Sequence, residues 1–134
     1  MLNLKSFKRI LLILLILILC FGIVGFLKLK SESNKAINSI QISTVDLSGV
    51  DDGSYFGEYS SGPCSAKVKV CVKNHKIEKI SLLEHKNGMG SKAKTIVDDV
   101  VDKQTLDVDT VSGATVSSKV ILKSIENALL KGEN

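Results

Sequence analysis

Aromatic residues are scarce in this 134-residue chain, which has no Trp, two Tyr and four Phe. A surface that stacks nucleic-acid bases works through exposed aromatic rings, so that class of function has little to build on. Acidic residues are missing from the first thirty positions, and all fourteen lie after Lys30. From Ser31 onward 13 basic side chains face 14 acidic ones, a net charge of −1. The pI near 9.0 therefore comes from Lys5, Lys8, Arg9, Lys28 and Lys30, which flank one apolar run. A nucleic-acid binder needs its basic excess on a folded surface, so no nucleic-acid partner is expected. Internal repeats and low-complexity tracts are absent as well.

Several chemical signatures are also lacking. There is no C-x-x-C-H for haem, no G-x-G-x-x-G nucleotide loop and no G-x-S-x-G nucleophile elbow. Cys64 and Cys71 are seven residues apart, and in one extended segment they would stand ~23 Å apart, too far for a disulfide. A zinc site from Cys64, Cys71, His75 and His85 lacks the short Cys pairing that such sites use, so no metal is expected.

What is present begins with Ile10 to Leu27, eighteen residues without a charge. As a helix this run spans ~27 Å, close to the hydrocarbon thickness of a bilayer. It ends directly in Lys28, Leu29 and Lys30 with no small-x-small cleavage pattern, which favours an uncleaved anchor over a signal peptide. Leu19 before Cys20 is not the small residue that lipid attachment wants, so Cys20 is expected to pack as an apolar side chain. Basic residues on the two sides nearly balance, so charge alone leaves the orientation open. The organisation expected is an N-terminus at 1–9, a transmembrane anchor at 10–27, a linker at 28–44, a folded domain at 45–131 and a tail at 132–134. The linker is polar without a sustained period and reads as a tether or frayed helix.

Within the domain, Ala66 to Lys73 alternates strictly and is the clearest strand. An aromatic-rich strand over Ser54 to Tyr59 precedes it, and Lys76 to Glu84 follows after Asn74-His75 as the second arm of a hairpin. Asn74 tolerates positive φ, but His75 stands where glycine would ease a tight turn, so the turn type stays open. Ala93, Ile96, Val97, Val100 and Val101 fall at helical spacing, with Ser91 as a candidate cap. A second helix from about Ser117 to Leu130 carries Ile121, Leu122, Ile125, Ala128 and Leu129 on one stripe. The fold class expected is α+β: a small antiparallel sheet packed with two amphipathic helices, preceded by one N-terminal transmembrane helix.

Between those helices runs Asp107-Val108-Asp109-Thr110-Val111-Ser112-Gly113-Ala114-Thr115-Val116-Ser117-Ser118-Lys119. The plain reading is a loop and a helix start, where Ser and Thr cap open backbone N–H groups. The sharper reading uses the same geometry as an anion site, with Gly113 and Ala114 letting a phosphate approach the backbone.

The pattern Asp109-x-x-Ser112-Gly113-Ala114-Thr115, followed by Ser117, Ser118 and an aliphatic helix, resembles the flavinylation motif of the FMN-binding domain family. That family includes the FMN subunits of bacterial sodium-pumping quinone reductases and related ferredoxin-dependent complexes. Asp52-Gly53-Ser54-Tyr55-x-Gly57-Glu58 resembles its opening strand, Lys67 to Leu83 its central hairpin, and Glu84-His85 with Gly88-x-Gly90 its loop before the first helix. Lys86-Asn87 stands where relatives often carry an acidic residue and Thr, which touches the ring contacts rather than the attachment residue.

The resemblance implies that a flavin transferase joins the phosphate of FMN to the hydroxyl of Thr115, a tether rather than a nucleophile in turnover. Ser112, Gly113 and Ala114 would form the cradle, and Asp109 would belong to the transferase's recognition pattern or simply bond loop N–H groups. Lys119 is a candidate neighbour of the phosphate or a solvated first-turn lysine. His85, Gly88, Met89 and Gly90 are candidates for the isoalloxazine side, or an ordinary strand-to-helix loop. The expected function is that of an extracytoplasmic electron carrier at the cell membrane, a stand-alone member of the family rather than a complete enzyme. Its partners would be a membrane donor, either a dehydrogenase or a quinol, and a further acceptor. Two alternatives stay open: a non-redox binding module displayed on the membrane, and a flavin-dependent reductase with its own substrate.

Overall fold

The computed structural model describes residues 3–86 and 90–133, so Gly88 and Met89 lie outside the described residues. The chain divides into two compact units, Met1–Lys35 and Ala36–Asn134.

The first unit is helical. Helix α1 runs over Leu4–Ser39, which extends helix through the polar stretch read as a tether. Its stretch Leu4–Lys28 is the one helix among the described residues long and apolar enough to cross a membrane. Leu, Ile and Phe side chains are exposed all along it. Cys20 is one of these exposed residues.

The second unit is the α+β layer. Strands β1 (Gly53–Ser61), β2 (Cys64–Lys73) and β3 (Lys76–Lys86) form one antiparallel sheet in sequence order. The loop expected between the first two strands shrinks to Gly62-Pro63, since Ser61 already pairs with Cys64. Asn74 and His75 both take positive φ, 52° and 57°, the signature of a type I′ hairpin. His75 fills a position suited to glycine, and its Nδ1 donates to the carbonyl of Val50 at 3.0 Å, which offsets part of that strain. Cys64 and Cys71 share strand β2, and no disulfide joins them.

Strand alternation sends Ala66, Val68, Val70 and Val72 to one face, where they are buried. Helix α4 (Thr115–Leu129) covers that face over β1 and β2 with Ile121, Ile125, Ala128 and Leu129 in the core. The helix expected from Ser91 is interrupted: α2 (Gly90–Ala93) gives way at Lys94 to α3 (Thr95–Lys103), which packs on β3. Ser91 therefore sits inside α2 and is not the cap of α3, whose N-cap position is Lys94 without a side-chain bond. Thr95 instead fixes the break, its hydroxyl donating to Lys92 O at 2.9 Å.

Side chains close both sheet edges. Gln104 stands at φ 54° just past α3 and behaves as a short extra strand. Its Oε1 accepts from Ile77 N at 2.8 Å, and its Nε2 donates to Ile77 O at 2.8 Å. On the other edge Lys131 and Asn127 donate to the carbonyls of Phe56 and Glu58. Exposed strand edges invite pairing with other chains, and these contacts remove that template. The segment after α1 is clamped to α4 in the same way: Ser43 N donates to Glu126 at 3.2 Å and Lys123 Nζ to Gln41 O at 2.9 Å. Lys123 and Glu126 also pair with each other at 2.9 Å, which neutralises a carboxylate that is almost fully buried. The tail is pinned too, with Val50 and Glu133 forming an antiparallel bridge and Asp51 N donating to Gly132 O at 2.9 Å.

Gly57 sits where α4 crosses β1. A Cβ there would overlap the carbonyl oxygen of Ser124 and come within 2.6 Å of Ala128 N, both backbone atoms that cannot step aside. Gly57→Ala is therefore expected to lift α4 from the sheet and to destabilise the domain by ~3 kcal/mol or more, read from chemical denaturation.

Candidate functional site

The segment between α3 and α4 is held from below by apolar side chains. Leu106 is buried, and Val108 and Val111 pack against the core, which leaves the polar residues between them facing outward. Asp107 and Asp109 are exposed. The chain then reverses through Val111-Ser112-Gly113-Ala114, with Ala114 N donating to Val111 O at 2.9 Å. Gly113 takes φ 79°, a value that L side chains rarely adopt, and open space lies beyond its α-carbon.

This turn delivers the chain into α4 two residues before the Ser117 start expected from the sequence. Ala114 is the N-cap, with no side-chain cap, and Thr115 is the first helical residue. Ser117 and Ser118 are buried, and Ser118 Oγ accepts from Val111 N at 3.1 Å. That bond draws the loop against the first turn of the helix. The hydroxyls thus divide: Ser118 holds the loop from inside, while Ser112 is exposed and Thr115 is partly exposed on the outer side. At a helix start the first amides have no carbonyl within the helix to bond, so the N–H groups of Thr115, Val116 and Ser117 point out of the N-terminus. Together with the helix dipole they favour a negative group beside Thr115.

Lys119 is one turn further along and is half-buried. It lines a cleft of about 360 Å³ with Asp107, Thr110, Leu122 and the segment Ile42 to Thr44. Lys119 therefore faces the base of the loop and the strap that leads from α1, an environment less solvated than an open first-turn lysine has.

His85 lies near the end of β3, opposite Ala66 on β2, on the face that carries the helices. A shift in the β2–β3 register between Lys67 and Val68 precedes it. Both its ring nitrogens are shielded from water and, among the described residues, have no hydrogen-bond partner. Burial, helped by the positive charge of Lys94, pushes its pKa below the ordinary value of 6.5, so the neutral ring is favoured. A cleft of about 470 Å³ opens at the same end of the sheet between Glu58, Tyr59, Ala66, Lys67 and Glu84. Gly90 begins α2, a short helix that packs against both α3 and α4.

The residues expected from the sequence therefore separate into two groups. Ser112, Gly113, Ala114 and Thr115 form one continuous turn and helix start, while His85 and Gly90 stand at the end of β3 and the beginning of α2. Sequence reasoning missed Ser118 as the internal brace, Lys94 as the cation near His85, and the Lys123–Glu126 clamp on the strap. No local pattern marks these contacts, because each joins residues that only the folded chain brings together. Among the described residues, no group of three or more His, Cys, Asp or Glu is arranged to hold a metal ion.

The site residues fit an FMN group on two counts. Open space at Gly113 and the first-turn amides of α4 suit a phosphate, and the ring nitrogens of His85, unpartnered among the described residues, suit a heteroaromatic ring edge carrying donors and acceptors.

Two outcomes are expected. Ser118→Ala should leave Val111 N without its partner, lower stability by ~1–3 kcal/mol and speed amide exchange at residues 111–114. The His85 ring gains its proton less readily in the folded chain than in the unfolded one. Its contribution to stability is present above pH ~6.5 and is lost as pH falls from there towards the lower folded value. Thermal unfolding of flavin-free protein should show this acid-side loss in the wild type and a smaller one in His85→Gln.

None of the curated proteins matches this chain. The family model of the FMN-binding domain matches residues 61–130, which run from the end of β1 through the second and third strands, the Ser112–Thr115 turn and helix α4. That match covers more than half of the chain and includes both groups of site residues, and the chain belongs to the FMN-binding domain family.

Proposed function

We propose that this protein is a membrane-anchored electron carrier that holds FMN through a phosphoester on Thr115. The domain would stand outside the cytoplasm on the anchor formed by residues 10–27. It would relay electrons from a membrane dehydrogenase or the quinol pool to a further acceptor. The observation that carries this reading is the position of Thr115, a half-exposed hydroxyl on the first residue of α4, beside a turn with open space at Gly113. Family membership supports FMN as the cofactor and an electron-transfer role in general. The chemistry that FMN supplies when bound is reversible transfer of one or two electrons.

The residues of the chain have separate tasks in this reading. Thr115 Oγ1 provides the oxygen that a flavin transferase links to the phosphate. The amides of Thr115, Val116 and Ser117 offset the charge of the resulting phosphodiester. Ser112, Gly113 and Ala114 keep the approach to Thr115 free of bulk, and exposed Asp109 is available to the transferase as a recognition point. His85, with Gly88, Met89 and Gly90, would meet the isoalloxazine, where a neutral imidazole can donate one hydrogen bond and accept another. Covalent attachment suits an extracytoplasmic site, because a flavin that dissociated there would diffuse away.

The test is flavin fluorescence in a denaturing gel of the protein from its native host, run beside Thr115→Ala. Fluorescence should stay with the wild-type band and vanish from the variant, while both fold to the same thermal midpoint. A dark wild-type band whose folded protein also binds no FMN would sink the carrier reading and leave a membrane-displayed binding module.

A further inference from the structure

Helices α3 and α4 cover one face of the sheet, and among the described residues nothing covers the other. By register, Lys67, Lys69 and Lys73 of β2 and Lys76, Lys79 and Lys86 of β3 belong to that outer face. Opposing them are Glu58, Glu84 and, at the rim, Glu78, so the face carries a net charge of +3. The rest of the chain from Ser31 carries seven basic and eleven acidic residues, a net −4. Much of this acidity lies on α3, with Asp98, Asp99 and Asp102, and in the loop bearing Asp107 and Asp109. A domain that is almost neutral in total is therefore electrically two-sided.

Cross-strand pairing accounts for Lys67, which stands between Glu58 and Glu84. It does not account for Lys73 and Lys76, which are paired directly across the β2–β3 hairpin, where like charges repel. Between the lysines, Phe56 is 48% exposed, with Lys69 Nζ 5.7 Å from its ring centre. An exposed aromatic ring surrounded by basic side chains has the make-up of a protein interface, with an apolar anchor inside a charged rim.

The make-up of the face selects among anionic occupants: an exposed Phe56 set among lysines matches the apolar anchor and charged rim of a protein interface. The segment that follows α1 joins the domain on α4, through Lys123 and Glu126. The outer sheet face is on the opposite side of the sheet from α4 and is left open by this segment. We infer that the outer face of the sheet, centred on Phe56 and Lys69, is a docking surface for a partner protein with an acidic surface. Long-range attraction speeds the encounter of such partners, and salt weakens it.

The test uses the full chain in nanodiscs of neutral phosphatidylcholine, with plant plastocyanin as an acidic protein probe and cytochrome c as a basic one. The readout is the rate of acetylation of each lysine, followed by mass spectrometry at low and high salt. It needs no flavin, so it is independent of the fate of Thr115. Plastocyanin should protect Lys67, Lys69 and Lys73 several-fold at low salt, with the effect lost at high salt, while cytochrome c should leave them unprotected. The double substitution Lys69→Glu, Lys73→Glu should weaken plastocyanin binding about tenfold without lowering the thermal midpoint. Unchanged acetylation with plastocyanin overturns the proposal. So does protection by phosphatidylglycerol nanodiscs alone, which would make the occupant a lipid surface. Self-association removed by the same double substitution also overturns it, in favour of a second copy of this chain.

Discussion

The close approach of α4 to β1 at Gly57 is the contact on which the rest of the domain depends. Backbone meets backbone there, and the geometry holds only while residue 57 lacks a side chain. With the helix that near, Ser124 Oγ reaches the carbonyl of Ala66 and Asn127 reaches that of Glu58, so α4 is stitched to two strands as well as packed on them. The placement of α4 then determines where its N-terminus points. The turn at Gly113 and the exposure of Thr115 follow from a helix whose other end is locked onto the sheet.

One helix thus serves three purposes at once. Its inner stripe fills the core, its first turn presents the amides and the Thr115 hydroxyl, and its outer side receives the strap through Lys123 and Glu126. The strap and the loop before α4 lie against the same helix, and the cleft lined by Ile42 to Thr44 and Lys119 lies where the two meet. The chain also keeps its polar groups economical, since Gln104, Lys131 and Asn127 close the sheet edges that a three-stranded sheet would leave open.

Much of this was legible in the order of residues. Alternation in Ala66 to Lys73 reported a strand with one buried face, because a period of two is the geometry of the pleat. The spacing of Ile121, Ile125 and Leu129 reported a helix for the equivalent reason. The uncharged run Ile10 to Leu27 marked a helix long and apolar enough to cross a membrane, though not that it continues through the polar residues to Ser39. Helix there needs no apolar stripe, so hydropathy could not report it. The break at Lys94 was equally hidden, since the apolar spacing from Ala93 to Val101 passes across it undisturbed.

The sequence by itself determined the α+β class, the long apolar helix, the family and the Ser112–Thr115 segment, since each depends on local periodicity or on a short contiguous motif. Only the tertiary structure decided which hydroxyls turn inward. Ser118 is spent on Val111 N and Thr115 is left accessible, a division that follows from the direction in which α4 leaves its turn. It also decided that the lysines of two strands share one uncovered face while the aspartates gather elsewhere. Pairing register and helix placement set that charge separation, and both are properties of contacts between segments that composition does not record.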